Sequence, residues 1–135
     1  MSKNSKDIVL TSALRSSVGK FSGNHKKLQS HELGSIVIKG ILDKTKIDVQ
    51  EIDEVILGQV LPSLSGQNPA RQALIKSGIP KDKTAFNINQ VCGSGLRAIV
   101  LGYQSIGMGS SKFVIAGGQE SMSNSNEKEM LTNGL

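Results

Sequence analysis

Cys92, the single cysteine of the chain, stands where its thiol could act as a nucleophile. It lies between an apolar, strand-like segment and a helix-like segment that opens with Gly93, Ser94 and Gly95. The first N–H groups of a helix have no partners within the helix, and the helix dipole places partial positive charge beside them. Such a position stabilises a thiolate and can hold the oxyanion that develops on an attacked carbonyl. We therefore predict that Cys92 is a catalytic nucleophile; the alternative is a buried structural cysteine.

The segment after Cys92 also fits a pattern that binds dinucleotides. Residues 93–98 match G-x-G-x-x-A between a predicted strand and a predicted helix, where a pyrophosphate could bind at the helix N-terminus. Glu120, after the next strand, could then bind a ribose hydroxyl. In dinucleotide-binding folds this pattern belongs to the first strand–helix turn, whereas here it follows the third predicted strand. A nucleotide site is therefore the weaker hypothesis.

The other residues capable of chemistry are less favourably placed. His25 lies in a lysine-rich loop, His31 falls in the first turn of a predicted helix, and both are distant from Cys92 along the chain. The loop from Gly117 to Met122 follows the last predicted strand, and its glycines could form a tight turn or allow close backbone approach. No spacing typical of metal ligands occurs, so the sequence predicts no metal site.

Short apolar runs alternate with helical patterns, so an α/β fold has to position Cys92. This alternation predicts a parallel-dominated sheet with right-handed crossovers, in β-α-β-α-β-α-β order. The predicted strands are Ile8–Leu10, Glu54–Val60, Ala85–Gln90 and Lys112–Ala116, and the predicted helices begin near Ser30, Asn68 and Gly93.

Two of the helices carry clear end signals. The second has Asn68 as an N-cap, Pro69 at its first position and Gly78 where a left-handed C-terminal residue belongs. The first has Ser30 as a possible cap, with Glu32 in its first turn. Apolar residues at spacings of three and four predict the face that this first helix buries. They are Leu33, Ile36, Val37, Gly40 and Ile41.

Composition limits the class of protein. A length of 135 residues, with 37% hydrophobic and 20% charged residues, suits one globular domain. No apolar run is long enough for a membrane span. One cysteine excludes an internal disulfide and fits a reducing compartment, so we expect a cytoplasmic protein.

Residues 1–50 carry nine positive and four negative side chains, which accounts for the whole net charge of +5. With only 3% aromatic residues, this basic surface does not favour nucleic-acid binding.

Four segments carry a family likeness: Ala13–Arg15 with Gly19–Gly23, Gly58–Pro62 with Gly66–Ala73, Asn89–Ala98, and Ala116–Ser123. In this order they resemble sequence blocks of the thiolase family, in the form typical of acetyl-CoA C-acetyltransferases. The likeness runs from Ile8 to Asn124, and Cys92 lies in the block that resembles the family's nucleophile segment. Local differences occur at Ser16 and Ser17, where the family usually has Thr-Pro, and after Asn124, where a proline is usual.

The resemblance implies a function for Cys92. It implies that this residue accepts an acetyl group from acetyl-CoA as a thioester and passes it to a second acetyl-CoA, or to CoA in the reverse direction. It also implies that the N–H of Cys92 contributes to an oxyanion hole. The substrates would be acetyl-CoA, acetoacetyl-CoA and CoA, with no separate cofactor, no nucleic acid and no membrane. Gln67 and Asn68 would support the site without taking part in the chemistry.

The resemblance also concerns architecture. It implies a three-layer α/β domain over residues 1–135, equivalent to the N-terminal half of the thiolase fold and ending before the CoA-binding loop domain and the C-terminal half. In the family that second half supplies an activating histidine and a second cysteine, and the complete enzyme is a homo-oligomer. We therefore expect this chain alone to be inactive or nearly so.

The alternatives are a non-catalytic thiolase remnant or interaction module that pairs with a full-length thiolase, and another condensing enzyme such as a ketoacyl synthase. The segment Gly66–Ala73 argues against the ketoacyl synthase.

Overall fold

Three parallel strands form the sheet that positions Cys92. The computed structural model describes residues 7–125. Strand β1 lies in the centre, between β2 and β3. Glu54 pairs with Thr84 on one side and with Val114 on the other, so the three strands start in step and end together. The elements in chain order are α1 (Ser30–Thr45), β1 (Glu54–Gly58), α2 (Pro69–Lys76), β2 (Thr84–Ile88), α3 (Ser94–Gly107) and β3 (Val114–Gly118), with short 3₁₀ turns at Val49–Glu51 and Met122–Asn124.

Helices cover both faces of the sheet, so the described domain has three layers. Val55 and Leu57 of β1 belong to one core cluster with Ile38 of α1 and Leu74 of α2. On the opposite face, Gly102 of α3 packs against strand β3. Strand side chains alternate between the two faces, which explains why the central strand is buried along almost its whole length. The predicted three-layer α/β class with a parallel sheet is confirmed.

The end signals of α2 act as predicted. The Asn68 Oδ1 atom accepts the N–H of Arg71 at 3.0 Å, and Pro69 occupies the first helical position. Gly78 follows the helix with a φ of +92°, a conformation that glycine adopts without strain. Local chemistry therefore fixes both ends of this helix.

The predicted first strand, Ile8–Leu10, is wrong. No strand forms there; the Ile8 side chain lies beside Gly107 at the end of α3, while Val9 and Leu10 are exposed. A strand needs a neighbour to satisfy its N–H and C=O groups. Among residues 7–125 the two sheet edges belong to β2 and β3, and this segment pairs with neither. The described order is therefore α-β-α-β-α-β.

The predicted buried face of α1 is partly wrong, since Leu33, Val37, Gly40 and Ile41 are half-buried but do not form the most buried face. Ile36 is more than half exposed, whereas Gly34 and Ser35 face the interior. The reason is close approach: a side chain at Gly34 would collide with the Gln119 side-chain oxygen. Small residues therefore occupy the contact, although their hydrophobicity is low. The buried residues of this helix are Ser30, His31, Gly34, Ser35, Ile38 and Leu42.

Smaller corrections concern element ends. Helix α1 begins at Ser30 rather than being capped by it; Gln29 is the N-cap, and its N–H donates to Glu32 Oε2 at 2.9 Å. The last strand lies two residues further along than predicted and includes Gly117 and Gly118, because these residues pair in register with the end of β1.

Candidate active site

The carboxyl ends of the three strands surround an open cavity of about 630 Å³. Loops after β1 and β3 form one wall, and the turn between β2 and α3 forms another. Cys92 lies in that turn and is exposed, with a free thiol. The lining residues are Gly58, Gln59, Val60, Leu61, Val91, Cys92, Ser94, Gly95, Gly118, Gln119, Glu120 and Met122. The thiol predicted to be a nucleophile is thus accessible and next to a cavity.

The turn that carries Cys92 is tightly held. Val91 has a φ of +49°, in the left-handed region, which is a costly conformation for a β-branched residue. The buried Ser94 hydroxyl donates to the Val91 carbonyl at 2.5 Å and accepts the Gln90 N–H at 2.8 Å. Helix α3 starts at Ser94, so Cys92 precedes it by two residues. The thiol therefore stands just ahead of the helix N-terminus.

A close backbone contact brings α3 to the end of the central strand. A Cβ placed on Gly58 would lie 2.5 Å from the Ser94 carbonyl carbon and 2.6 Å from the Gly95 nitrogen. No side chain larger than hydrogen fits there without moving the backbone. Gly58 thus permits the approach that sets the start of α3 against β1.

Two buried glutamines join the loops after β1 and β3. The Gln119 Nε2 group donates to Gln59 Oε1 at 2.9 Å, and both side chains are more than nine-tenths buried. The Gln59 Nε2 group lies 3.3 Å from both the Leu61 carbonyl and the Ser65 hydroxyl. This pair was not predicted from the sequence, although a glutamine inside the apolar run of residues 55–61 was one signal for it.

The other candidate residues do not join Cys92. His25 Nε2 lies 2.9 Å from the Ser17 hydroxyl in an exposed contact. His31 is buried on α1, where desolvation first, and then the positive charge of Lys76, lower the pKa of its imidazole. Neither histidine lines the cavity. Glu120, which a nucleotide site would need for a ribose, accepts the Val60 N–H at 2.7 Å.

Residues 7–125 contain no group of three or more histidine, cysteine, aspartate or glutamate side chains that could hold a metal ion. None of the described helices is long and apolar enough to cross a membrane.

The fold and site together define an α/β protein with an accessible cysteine at the carboxyl edge of a parallel sheet. Residues 8–133 match the family model for the thiolase N-terminal domain, so the chain belongs to this family.

Curated relatives and solved structures agree with this family. Acetyl-CoA acetyltransferase of Rhizobium meliloti is 54% identical over 116 residues, and that of Paracoccus denitrificans is 53% identical over 115. These alignments cover 86% and 85% of this chain but 30% and 29% of the relatives. The chain therefore spans about 30% of the length of the curated relatives it matches.

Two solved structures have the same fold over most of the described chain. The crystal structure of Acat5 thiolase from Ascaris suum in complex with coenzyme A aligns with a TM-score of 0.78 and 39% identity. The acetyl-CoA acetyltransferase of Bacillus anthracis aligns with a TM-score of 0.76 and 35% identity. Both alignments cover 80% of this chain, and they cover 28% and 27% of those chains respectively.

Proposed function

We propose that this chain supplies the acyl-accepting part of a thiolase, with Cys92 as its nucleophile. The Cys92 thiolate attacks the carbonyl carbon of acetyl-CoA, a new S–C bond forms, and the bond to CoA breaks, so that CoA leaves as a thiolate. The acetyl group then passes to the α-carbon of a second acetyl-CoA, which has lost a proton to a base. The products are acetoacetyl-CoA and the free Cys92 thiolate; thiolysis is the reverse.

The observation that carries this proposal is the position of Cys92. Its thiol is exposed beside the cavity, two residues before α3, where the helix N-terminus can stabilise the negative charge that develops on the attacked oxygen. Apolar side chains and glycines make up more than half of the cavity lining, namely Gly58, Val60, Leu61, Val91, Gly95, Gly118 and Met122. These walls suit a short acyl group. We propose that CoA thioesters are the substrates and that no separate cofactor is needed.

Condensation needs more than these residues offer. Removing the α-proton requires a base within hydrogen-bond reach, and neither histidine lines the cavity. The carboxylate that does line it, that of Glu120, accepts backbone N–H groups of Val60 and Leu61. The chain holds no second cysteine. We therefore propose that residues 1–135 alone complete at most the acylation step. A histidine and a cysteine from the second half of a thiolase would supply the groups that condensation needs. We propose that the complete enzyme is a cytoplasmic homo-oligomer that acts in lipid metabolism.

The test is intact-protein mass spectrometry after mixing the chain with acetyl-CoA. We expect an acetyl increment of one group per chain that is absent in Cys92→Ser. Iodoacetamide labelling of the unmodified chain shows, in parallel, that the thiol is free and reachable. A labelled but never acetylated chain, folded by circular dichroism, would contradict acylation by this part alone.

A second candidate function is an interaction module without catalysis. Helix α3 exposes an apolar row at spacings of four and three, where Leu96 is 70% exposed, Val100 37% and Tyr103 60%. Such a row suits a protein partner, which in this reading is a full-length thiolase. The acetylation experiment separates the two candidates, because a pure interaction module needs no reactive thiol.

A further inference from the structure

The backbone N–H and C=O groups of Val60 both bond to side chains that follow the neighbouring strands. Its N–H donates to Glu120 Oε2 at 2.7 Å, and its C=O accepts from Asn89 Nδ2 at 3.0 Å. The Leu61 N–H adds a longer contact of 3.4 Å to the same carboxylate. Glu120 follows β3, Val60 follows β1 and Asn89 follows β2. The three strand ends are thus tied together at the edge of the cavity.

Asn89 carries this connection to the turn before Cys92. Its Oδ1 atom accepts the Val91 N–H at 2.9 Å while its Nδ2 group holds the Val60 carbonyl. One amide therefore bridges the loop after β1 and the residue that directly precedes Cys92. The connected series runs from Glu120 through Val60 and Asn89 to Val91.

Val91 is the residue that most needs such support. A valine in the left-handed region costs about 1–3 kcal/mol, and it keeps that conformation only where its surroundings enforce it. Val91 is 63% exposed, so packing contributes little, and hydrogen bonds have to hold its backbone. Ser94 holds its carbonyl and Asn89 holds its N–H.

We propose that Asn89 and Glu120 are positioning residues that fix the Val91 conformation, and with it the direction of the Cys92 thiol toward the cavity. The expected effect on Cys92 chemistry rests on the proposed function, whereas the effect on the Val91 conformation does not. Neither side chain touches a reacting atom; each acts through the backbone of Val60 and Val91.

The first test is hydrogen exchange at single amides, followed by NMR, in the full chain carrying Glu120→Ala. Glu120 bonds Val60 and Leu61, so a local role would speed exchange at those amides alone. The proposal predicts that the Val91 amide also exchanges about three- to tenfold faster, the effect expected when one hydrogen bond is weakened. Glu120→Gln keeps an oxygen acceptor and should restore most of the protection.

Controls and a second variant make the result decisive. Glu51→Ala and Asn24→Ala remove exposed side chains of the same types elsewhere and should leave Val91 exchange unchanged. Asn89→Asp keeps the acceptor for Val91 but loses the donor to Val60, so adding Glu120→Ala to it should have no further effect at Val91. Unchanged Val91 exchange in Glu120→Ala, with faster exchange at Val60, would overturn the proposal.

The catalytic consequence has its own readout. Glu120→Ala should slow Cys92 acetylation by acetyl-CoA about tenfold and alkylation by iodoacetamide less than twofold, because alkylation needs only an exposed thiol. An equal slowing of both reactions would count against a role in direction. If the unsubstituted chain is never acetylated, the proposed function fails in this part of the molecule, while the exchange experiment still decides the structural claim.

Discussion

Ser94 shows how a single buried hydroxyl can hold a reactive turn. It is 3% exposed and bonds both the Val91 carbonyl and the Gln90 N–H. In Ser94→Ala the Gln90 N–H loses this partner next to a strained residue. We expect the free energy of unfolding to fall by about 1–2 kcal/mol, measured by urea denaturation. Ser110→Ala removes an exposed hydroxyl just beyond α3 and should change stability by less than about 0.5 kcal/mol. Equal losses in both variants would contradict this role.

His31 gives the protein a predictable response to pH. Burial, then Lys76, lower the folded-state pKa of the imidazole below its ordinary value of 6.5, and Glu32 opposes them. Between the folded pKa and about 6.5 the unfolded chain binds more protons, so stability should fall as pH falls through this window. His31→Gln should flatten the slope of unfolding free energy against pH, and Lys76→Gln should reduce it. A slope that is unchanged in His31→Gln would show that other groups cause it.

The contact between β1 and α3 depends on the absence of a side chain at Gly58. Alanine there would meet the backbone of Ser94 and Gly95, which cannot give way as a flexible side chain can. We expect Gly58→Ala to lower stability by about 1–3 kcal/mol, the range for overpacking, and to slow Cys92 acetylation. Gly117→Ala, in register beside β1 with open space around its Cβ, should have little effect. Similar losses in both variants would mean that the strand, not the contact with α3, is sensitive.

The apolar row on α3 should govern how copies of the chain behave in solution. Leu96, Val100 and Tyr103 form a contiguous face of the helix that the described residues leave exposed. We expect self-association at micromolar concentration by light scattering, reduced by the double substitution Leu96→Lys and Tyr103→Lys. Ser110→Lys, which adds charge outside the row, should not reduce it. A monodisperse monomer at these concentrations would count against an unpartnered docking face.

The amino-acid sequence alone predicted what neighbouring residues control. Asn68, Pro69 and Gly78 set the ends of α2 through capping and backbone conformation, and these signals act over a few residues. The alternation of strands and helices, and Cys92 just ahead of α3, follow from equally local patterns. The family resemblance rested on short blocks of the same kind, and the family match confirms it.

Features that depend on contacts across the chain came only from the folded arrangement. Ile8–Leu10 has the composition of a strand but pairs with no strand among residues 7–125. Helix α1 turns Gly34 inward because Gln119, distant in sequence, approaches too closely for a larger residue. The bond from Val60 to Glu120 joins residues sixty positions apart. No local pattern encodes such pairs, because the free energy that selects them comes from packing and hydrogen bonding between elements that meet only after folding.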